Sequence, residues 1–597
     1  MAITSVAEPP PSSAAYSVEE GALRALWNLL NACGGEIPFE FIRHVKHVGF
    51  NVASQDSDAV HFPTPLKEQD ATLAIKALEA CATAAIADLR YGSEVQGSRD
   101  IAVDLDRASC FLMSAYLTTI DGMGKAHPLV KSKVPDTDLN QAQSILYRRL
   151  SANLYETKNP GEYYHIHGSL DATKTLEMIG LPAFNPKMID YRTCINTIEN
   201  AVKEFTSAEL DEMNVQNEQA GIPALTWDQF LATPHGSALS QLPPLSVTET
   251  ETSTPPAPFD HTDTLSGPRH ALRGIKVIEM CRVIAGPTIG RSLAAHGATV
   301  LKVTSPNLPD VPFFQVDVNT GKHTTSLDLR NESDRAILDD LLADADVLVD
   351  GYRPGALARL GYGQEALTRL AESRSRGFVY VAEDCFGGTD EPGSATEWAG
   401  RRGWQQIADC VTGVAWAQGK FMGLNEPVVP PFPMSDYGTG ALGCVAAMSA
   451  LYRRAKYGGS YVCRTSLCQY DIFVMKLGLL PAAEQERLRK EHNPDFFELR
   501  HSDSVDEVGR RALTSMKRTA PHLFDEELMH AEWSVGFDGV VAWPKEAIAI
   551  GGLRVGHVRP ARPNGFDKPS WLGWEESEGE QVTDSDGEQT EDSEEEI

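Results

Sequence analysis

The chain of 597 residues lacks the patterns that mark secreted, membrane and metal-binding proteins. Its ten cysteines are far apart and form no CxxC pair and no cysteine–histidine cluster, which argues against a disulfide framework and a zinc site. No apolar run approaches a membrane span, and the N-terminus lacks a basic segment followed by an apolar one. The final Glu596–Ile597 is no peroxisomal signal. We therefore expect a cytoplasmic protein without a membrane partner or a bound metal.

Positive charge is also scarce. The 53 lysines and arginines against 83 aspartates and glutamates give a formal charge of −30, which argues against nucleic acid as a partner. The last 23 residues hold 12 acidic side chains and no basic one, with too little apolar surface to offset the entropy of ordering. We expect residues 575–597 to form a disordered acidic tail and residues 1–18 to form a disordered N-terminus.

The composition changes once along the chain, in a Pro-, Ser- and Thr-rich stretch at residues 242–270 that is typical of an interdomain linker. Residues 19–241 form a largely helical N-terminal half, with apolar residues at helical spacing in Glu19–Cys33 and Ala71–Leu89. From residue 271 to 574, strand and helix patterns alternate, beginning with IKVIEM, TIGRSLAAH and TVLKV. The predicted fold is α/β: a Rossmann-like parallel-sheet domain and a second, smaller domain that is mostly helical or α+β.

The turn after the first strand of the Rossmann-like domain reads Ala285-Gly286-Pro287, with no GxGxxG pattern, so a dinucleotide is not favoured. Arg330, Arg353 and Arg359 follow later strand patterns and could bind phosphate oxygens, although each taken singly is more typical of a solvated surface arginine.

Asp436 lies in PFPMSDYGTGALG, after an extended run with prolines and before a helix rich in small residues. This spacing favours an N-capping aspartate over a catalytic one, and the positive end of the helix dipole should keep the carboxylate ionised.

Five blocks then appear in a characteristic order: RGIKVIEMCRVIAGPTIGRSLAAHGATVLKV, TGKHTTSLDL, ADVLVDGYRPGALARLGYG, GWQQIADCVTG and MSDYGTGALGCVAAMSALYRRAKYGGSYV. With these blocks, the chain from Gly274 to about Gln469 resembles the class III CoA-transferases, which include formyl-CoA transferase, carnitine CoA-transferase and the α-methylacyl-CoA racemases.

The resemblance implies that Asp436 is the nucleophile. Gly438 and Gly440 would permit close approach of a flexible backbone whose N–H groups steady the oxyanions, although tight helix packing explains these glycines equally well. The CoA contacts that the resemblance implies are Val283, Ile284, Leu327, Arg330, Tyr352, Arg353, Arg359 and Arg402. Two positions depart from the family pattern and affect the detail of nucleotide binding: Gly351 replaces the usual asparagine, and Thr304 replaces the usual glutamate.

The implied activity is transfer of CoA between an acyl-CoA and a free carboxylic acid through an aspartyl-CoA thioester. Coenzyme A would then enter as acyl-CoA substrate and not as a permanently bound cofactor. Family members typically form homodimers, but a chain that holds parts of two units could satisfy this contact internally, so both states stay open. The long, tailed format is similar to fungal members, some of which act in natural-product pathways.

Two alternatives stay open. A racemase needs an acid/base pair, but the position of the racemase histidine is Trp404, so His165 or His167 would have to substitute, and a structural role is favoured for both. The other alternative is a non-catalytic CoA-binding relic.

The N-terminal half also carries a family signal. Residues 194–240 look like the family's small domain, which normally follows the Rossmann part, and SRDIAVDLDRASCFL echoes GGSYVCRTSLCQYDIF. We hypothesise a tandem of two incomplete family units. This hypothesis requires residues 120–245 to pack beside the domain that holds Asp436.

Overall fold

The computed structural model describes residues 16–51, 58–92, 99–260, 269–388 and 396–572. The predicted acidic tail and most of the predicted N-terminal tail lie outside the described residues. The strands are β1 (Val48–Asn51), β2 (Ile101–Asp104), β3 (Thr119–Ile120), β4 (Ala152–Glu156), β5 (Tyr163–His167), β6 (Ala220–Pro223), β7 (Leu245–Glu251), β8 (Lys276–Met280), β9 (Thr299–Thr304), β10 (His323–Ser326), β11 (Val347–Asp350), β12 (Val379–Asp384), β13 (Ser460–Ser466), β14 (Met529–Ser534), β15 (Gly539–Pro544) and β16 (Ile548–Ile550).

The α-helices are α1 (Val18–Ala32), α2 (Phe39–Ile42), α3 (Glu68–Tyr91), α4 (Leu105–Leu112), α5 (Ser114–Leu117), α6 (Leu146–Arg149), α7 (Thr173–Met178), α8 (Tyr191–Val202), α9 (Ser207–Gln216), α10 (Trp227–Ala232), α11 (Pro234–Leu239), α12 (Ala285–Ala295), α13 (Phe314–Val318), α14 (Glu332–Asp344), α15 (Ala356–Arg359), α16 (Gln364–Ser373), α17 (Gln405–Val411), α18 (Val414–Phe421), α19 (Met434–Tyr457), α20 (Leu467–Lys476), α21 (Ala482–Glu491) and α22 (Val505–Thr519).

The largest sheet has seven strands in the order β10-β9-β8-β11-β12-β13-β7. The strands from β8 to β13 are mutually parallel, and β8, β11 and the start of β12 are apolar runs buried on both faces, as expected when helices cover both sides. In chain order, these six strands follow the arrangement 3-2-1-4-5-6 of doubly wound folds. The predicted parallel α/β sheet is confirmed. Its order reverses between β8 and β11, so a ligand crevice is expected at the carboxyl ends of these two strands.

The seventh strand lies inside the segment that the sequence predicts to be a linker. β7 pairs antiparallel with β13, with Leu245 opposite Thr465 and Val247 opposite Cys463. Leu245, Val247 and Glu251 are buried, whereas Thr248, Glu249 and Thr250 face solvent and contribute to the polar composition of the segment. The linker interpretation is therefore wrong for Leu245–Glu251, which closes one edge of the main sheet.

The two halves of the chain share one hydrophobic core. The N-terminal half pairs with the C-terminal region through β2 with β16 and through β3 with β15. Residues 120–245 pack beside the Asp436 domain, where the Leu225 N–H donates to the Cys410 carbonyl and the Trp416 indole donates to the Ala224 carbonyl, each at 3.0 Å. The packing that the tandem hypothesis requires is therefore present.

A repeated helix–strand–helix unit adds to this picture. α3, β2 and α4 follow one another as α19, β13 and α20 do, and α3 and α19 are both 24 residues long and pack together. Of the predicted N-terminal tail, Val18 already begins α1, and the Tyr16 hydroxyl donates to Asp70.

The cysteines all lie in the interior. All ten are buried and unpaired. Among the described residues, no helix combines the length and the apolar character that crossing a bilayer requires.

Candidate active site

Asp436 is the third residue of α19, which begins at Met434, and Pro433 occupies the capping position without a side-chain hydrogen bond. The prediction of an N-capping aspartate is therefore wrong. The carboxyl group of Asp436 instead lines a cavity together with Val283, Ile284 and Trp404. Three of the positions named from sequence thus surround the nucleophile that the resemblance implies.

Burial determines the protonation of this carboxyl group. It raises the pKa of Asp436 to about 7, opposite to the expectation that the helix dipole keeps the group ionised. The helix dipole is too weak to prevent this shift. A helix terminus stabilises a charge by only about 0.3–1 kcal/mol, whereas removal of a carboxylate from water raises its pKa by several units. Near neutral pH, both the carboxylic acid and the carboxylate form of Asp436 are therefore populated.

Gly438 and Gly440 lie inside α19 and not in a flexible stretch, which corrects the sequence expectation. A Cβ on Gly438 would lie 1.9 Å from Cε2 of Tyr470, and one on Gly440 would lie 2.4 Å from Cβ of Thr288. These glycines allow α19 to pack closely against α20 and α12. Their N–H groups are in the helix interior, so the structure gives no geometry for a direct part in oxyanion binding.

A pair of buried acids lies beside Asp436. The Ser435 hydroxyl is 2.9 Å from Oδ1 of Asp409 and 2.7 Å from Oδ1 of Asp471. Burial raises the pKa of both carboxyl groups, and repulsion from Asp471 adds to the shift of Asp409, whereas repulsion from Glu68 and Asp436 adds to that of Asp471. One hydroxyl donates one proton, so one of the two acids must be protonated to complete the pair of hydrogen bonds. Sequence reasoning missed these acids because they are far apart in the chain.

Glu383, near the end of β12, is a further acid near Asp436 and is half-buried. Burial, with repulsion from Asp384 and Asp436, raises the pKa of Glu383 well above its usual range. The surroundings of Asp436 thus hold three carboxyl groups whose pKa is raised, those of Glu383, Asp409 and Asp471.

Trp404 and His167 form one wall of the cavity, and the histidine comes from the N-terminal half. Nδ1 of His167 accepts the Ser169 N–H at 2.9 Å, the Gln406 side chain bonds the ring as well, and burial holds its pKa well below the usual range. The ring is neutral, and its acceptor nitrogen is already occupied. His167 is therefore unsuited to the base role of the racemase alternative, and His165 does not line this cavity.

A second region brings together arginines that the sequence singled out. The Arg282 guanidinium lies 5.4 Å from the centroid of the Tyr352 ring, at the crevice where β8 and β11 end. Burial lowers the pKa of Arg353 to about 10, and the nearby charges of Arg402, Arg282 and Arg359 contribute. The predicted Arg353, Arg359 and Arg402 thus form a cluster, to which the structure adds Arg282.

Two arginines of this cluster are close in sequence to residues that line the cavity. Arg282 precedes Val283, which lines the cavity and has φ of 68°, a left-handed conformation rare for a β-branched residue. Its N–H donates to Asp310 at 3.3 Å. Arg402 likewise lies two residues before Trp404. Arg282 and Arg402 are therefore one and two residues away, along the chain, from residues that line the cavity of Asp436.

Two predicted CoA contacts lie elsewhere. The side chain of Leu327 is buried in a core cluster beneath the sheet, and its N–H donates to the Thr304 carbonyl at 2.9 Å. The side chain of Arg330 is 69% exposed and pairs with Asp328 at 2.8 Å. Neither residue lines the Asp436 cavity.

The two departures from the family pattern have local explanations. A Cβ on Gly351 would lie 3.0 Å from Sγ of Cys281, so the close approach of the loops after β8 and β11 favours glycine here. The Thr304 hydroxyl donates to the Thr325 carbonyl at 3.0 Å, between β9 and β10.

α3 carries a carboxyl group at the same position as α19. Asp70 is the third residue of α3, and burial raises its pKa to about 7, as for Asp436. However, α1 covers Asp70: the Tyr16 hydroxyl donates to it, and a Cβ on Gly21 would lie 2.1 Å from Oδ2. Of the two equivalent carboxyl groups in the repeated unit, that of Asp436 thus faces a cavity and that of Asp70 is covered by α1.

Comparisons with known proteins identify the family. Residues 272–499 match the family model described as CoA-transferase family III. Over 548 residues, the chain is 33% identical to the acetyl-coenzyme A transferase nodX of Hypoxylon pulicicidum, covering 90% of each chain. It is 32% identical over 432 residues to an acyl-CoA transferase of Gibberella moniliformis, covering 71% of this chain and 73% of that one.

Among solved structures, a CAIB/BAIF family protein from Brucella suis matches 35% of this chain and 56% of its own, with 27% identity and a TM-score of 0.29. The chain belongs to CoA-transferase family III. This membership confirms the resemblance and the prediction of an enzyme of the CoA-transferase class.

Proposed function

We propose that the protein transfers CoA from an acyl-CoA to a free carboxylic acid through an aspartyl-CoA thioester on Asp436. The observation that carries this proposal is the position of Asp436 in a cavity whose wall, at Val283 and Ile284, continues directly into the arginine cluster at Arg282. A CoA thioester has a charge distribution that matches this arrangement, with anionic phosphates at one end and a neutral, reactive acyl group at the other.

The reaction would proceed by acyl transfer to and from the carboxylate. A carboxylate oxygen of Asp436 attacks the thioester carbonyl carbon, the C–S bond breaks, and the electron pair leaves on sulfur as CoA thiolate. The thiolate then attacks the aspartyl carbonyl carbon of the mixed anhydride, and the first acid leaves as its carboxylate. The incoming acid repeats both steps in reverse and takes the CoA. No proton is consumed over the cycle.

Each part of the site has a task in this scheme. We assign the phosphates of acyl-CoA to Arg282, Arg353, Arg359 and Arg402, with Tyr352 beside them, because guanidinium groups bind phosphate oxygens in paired hydrogen bonds. Leu327, through its backbone, and Arg330 stay proposed contacts of the nucleotide end. The N–H groups of the first turn of α19 have no acceptor within the helix, and we assign them to the oxyanions in place of those of Gly438 and Gly440.

The wider setting is proposed on the family resemblance alone. This applies to a homodimer, a cytoplasmic location and a place in a natural-product pathway. Acetyl-CoA is the first donor to test, because one relative is named an acetyl-coenzyme A transferase.

The proposal is tested by incubating the protein with a panel of acyl-CoAs and measuring its intact mass. We expect an adduct on the wild-type protein and none on Asp436→Ala. Absence of an adduct with every donor would favour the non-catalytic relic. Incorporation of deuterium at the α-carbon without exchange of CoA would favour the racemase.

A further inference from the structure

A triad of charged side chains lines the same cavity as Asp436. Nζ of Lys125 lies 2.8 Å from Oδ1 of Asp506, and Nε of Arg149 lies 3.1 Å from Oδ2 of the same carboxylate. Lys125 and Arg149 belong to the N-terminal half, and Asp506 is in the first turn of α22. The N-terminal half thus contributes charge to the site as well as its wall.

The triad carries one uncompensated positive charge. Burial alone would lower the pKa of Lys125 and raise that of Asp506, but the opposite charges outweigh it, so the pKa of Lys125 is raised and that of Asp506 is lowered. Lys125 and Asp506 are therefore both ionised at neutral pH, and a guanidinium group such as that of Arg149 keeps its positive charge in proteins. His167 beside them is neutral, so two cations face one anion.

The surroundings of Lys125 and Arg149 allow both cations to bind a ligand in the cavity. The Lys125 ammonium lies 5.2 Å from the Tyr116 ring centroid and 5.0 Å from the Phe314 ring centroid, and both rings line the cavity. Among the described residues, the Arg149 side chain bonds Asp506 through Nε, which leaves its two terminal nitrogens for another partner. Two such nitrogens are the donors that a carboxylate accepts in a paired arrangement.

From this arrangement we propose that Lys125 and Arg149 bind the carboxylate of the free acid while Asp436 carries CoA. The inference rests on the proposed function. When Asp436 is free and ionised, its charge balances the residual positive charge of the triad. When Asp436 has become the neutral thioester, the cavity has one positive charge left over, and one carboxylate restores the balance.

The same charge count applies through the reaction. The single negative charge resides first on Asp436, then on the CoA thiolate beside the mixed anhydride, and then on the released acid. The triad offsets this charge at each stage. Asp506 keeps the excess at one, because two uncompensated cations would retain the product acid.

The test uses the full-length protein loaded with CoA by acetyl-CoA, and acetate as the discharging acid. The discharge rate is followed by loss of the adduct in intact-mass spectra as acetate concentration is varied. For Arg149→Gln, we expect the adduct to form, but half-maximal discharge to need about tenfold more acetate, as for loss of a hydrogen bond to a charged group.

Variants that change the net charge of the triad in opposite directions distinguish an electrostatic role from a structural one. Asp506→Asn should lower the acetate concentration for half-maximal discharge and strengthen inhibition by product acid. The double variant Arg149→Gln/Asp506→Asn should return toward the wild-type value, since its cavity again carries one excess positive charge. Lys125→Met should act in the same direction as Arg149→Gln. The control is Arg510→Gln, whose exposed side chain pairs with Glu507 on the same helix and should leave the acetate dependence unchanged.

The outcomes are distinct. If the adduct forms in every protein and all variants need the same acetate concentration, the inference is overturned and the proposed function stands. A shift in the same direction for Arg149→Gln and Asp506→Asn would also overturn it, because a merely structural triad predicts that result. Absence of the adduct on the wild-type protein overturns the proposed function, and this inference with it.

Discussion

The indole of Trp404 lies parallel to the imidazole of His167, with 5.2 Å between the ring centroids and 3° between the ring planes. The indole N–H also donates to the Ser169 hydroxyl at 2.9 Å. The residue at the position of the racemase histidine therefore joins the two halves of the chain. It forms a wall of the cavity and has no acid or base to offer.

Removal of this wall should change both stability and selectivity. We expect Trp404→Ala to lower the free energy of unfolding by about 2–3 kcal/mol, less than for a fully buried tryptophan, and to admit bulkier acyl groups. Trp404→Phe keeps the stack but loses the hydrogen bond, so its effect should be smaller. Denaturant unfolding and adduct formation with acetyl-CoA and a branched acyl-CoA check this. Unchanged stability and donor preference in Trp404→Ala would contradict the assignment.

Activity should depend on pH near neutrality. Because only the carboxylate form of Asp436 attacks, and burial raises its pKa to about 7, the adduct should form about tenfold faster at pH 8 than at pH 6. Single-turnover rates with acetyl-CoA measure this. A flat profile, or a midpoint near the ordinary aspartate value, would show that the nucleophile is not buried as described.

Titration of Asp436 should also affect stability, which should fall as the pH rises whereas activity increases. The pKa of Asp436 is higher in the folded chain than the ordinary value of 3.8, so the unfolded chain loses this proton first and stability falls as the pH rises from about 4 to 7. We expect Asp436→Asn to raise the melting temperature more at pH 8 than at pH 5. An equal shift at both pH values would argue against a buried, titrating carboxyl group.

The arginine cluster should determine the affinity for the CoA thioester. We expect Arg353→Gln and Arg402→Gln each to raise the KM for acyl-CoA about tenfold, because each removes a charged phosphate contact. Arg330→Gln should have a smaller effect, since Arg330 is exposed and paired with Asp328. Arg24→Gln, in a partly exposed pair with Glu20, is the matched control. Equal KM values for all four variants would exclude the cluster from CoA binding.

The glycines of α19 should matter for packing. Gly438→Ala would place Cβ against the Tyr470 ring, whose hydroxyl bonds Glu68 at 2.6 Å, so the ring is not free to move away. The clash should lower stability by about 1–3 kcal/mol, more than the roughly 1 kcal/mol gained in helix propensity. Gly49→Ala, with no neighbour closer than 3.9 Å, is the control for thermal unfolding. A stable Gly438→Ala protein that forms no adduct would point to catalysis instead.

Local patterns predicted the main sheet well, because apolar strands alternate with amphipathic helices from residue 274 onward. They failed at β7, where threonine and glutamate make an edge strand look like a linker. Ordered family blocks led to Asp436, Arg353 and Arg402. Arg149 and Asp506 were out of reach, since 357 positions separate them and only the fold brings them together.

The most direct test of the central claim is to locate the acyl-transfer adduct on the chain. The protein is incubated with acetyl-CoA, treated with hydroxylamine, digested, and searched for a hydroxamate by peptide mass spectrometry. The account predicts a single hydroxamate at Asp436 in the wild-type protein and in the surface control Asp228→Asn, and none in Asp436→Asn. A hydroxamate on another carboxyl group, or one that persists in Asp436→Asn, would contradict the claim that Asp436 carries CoA.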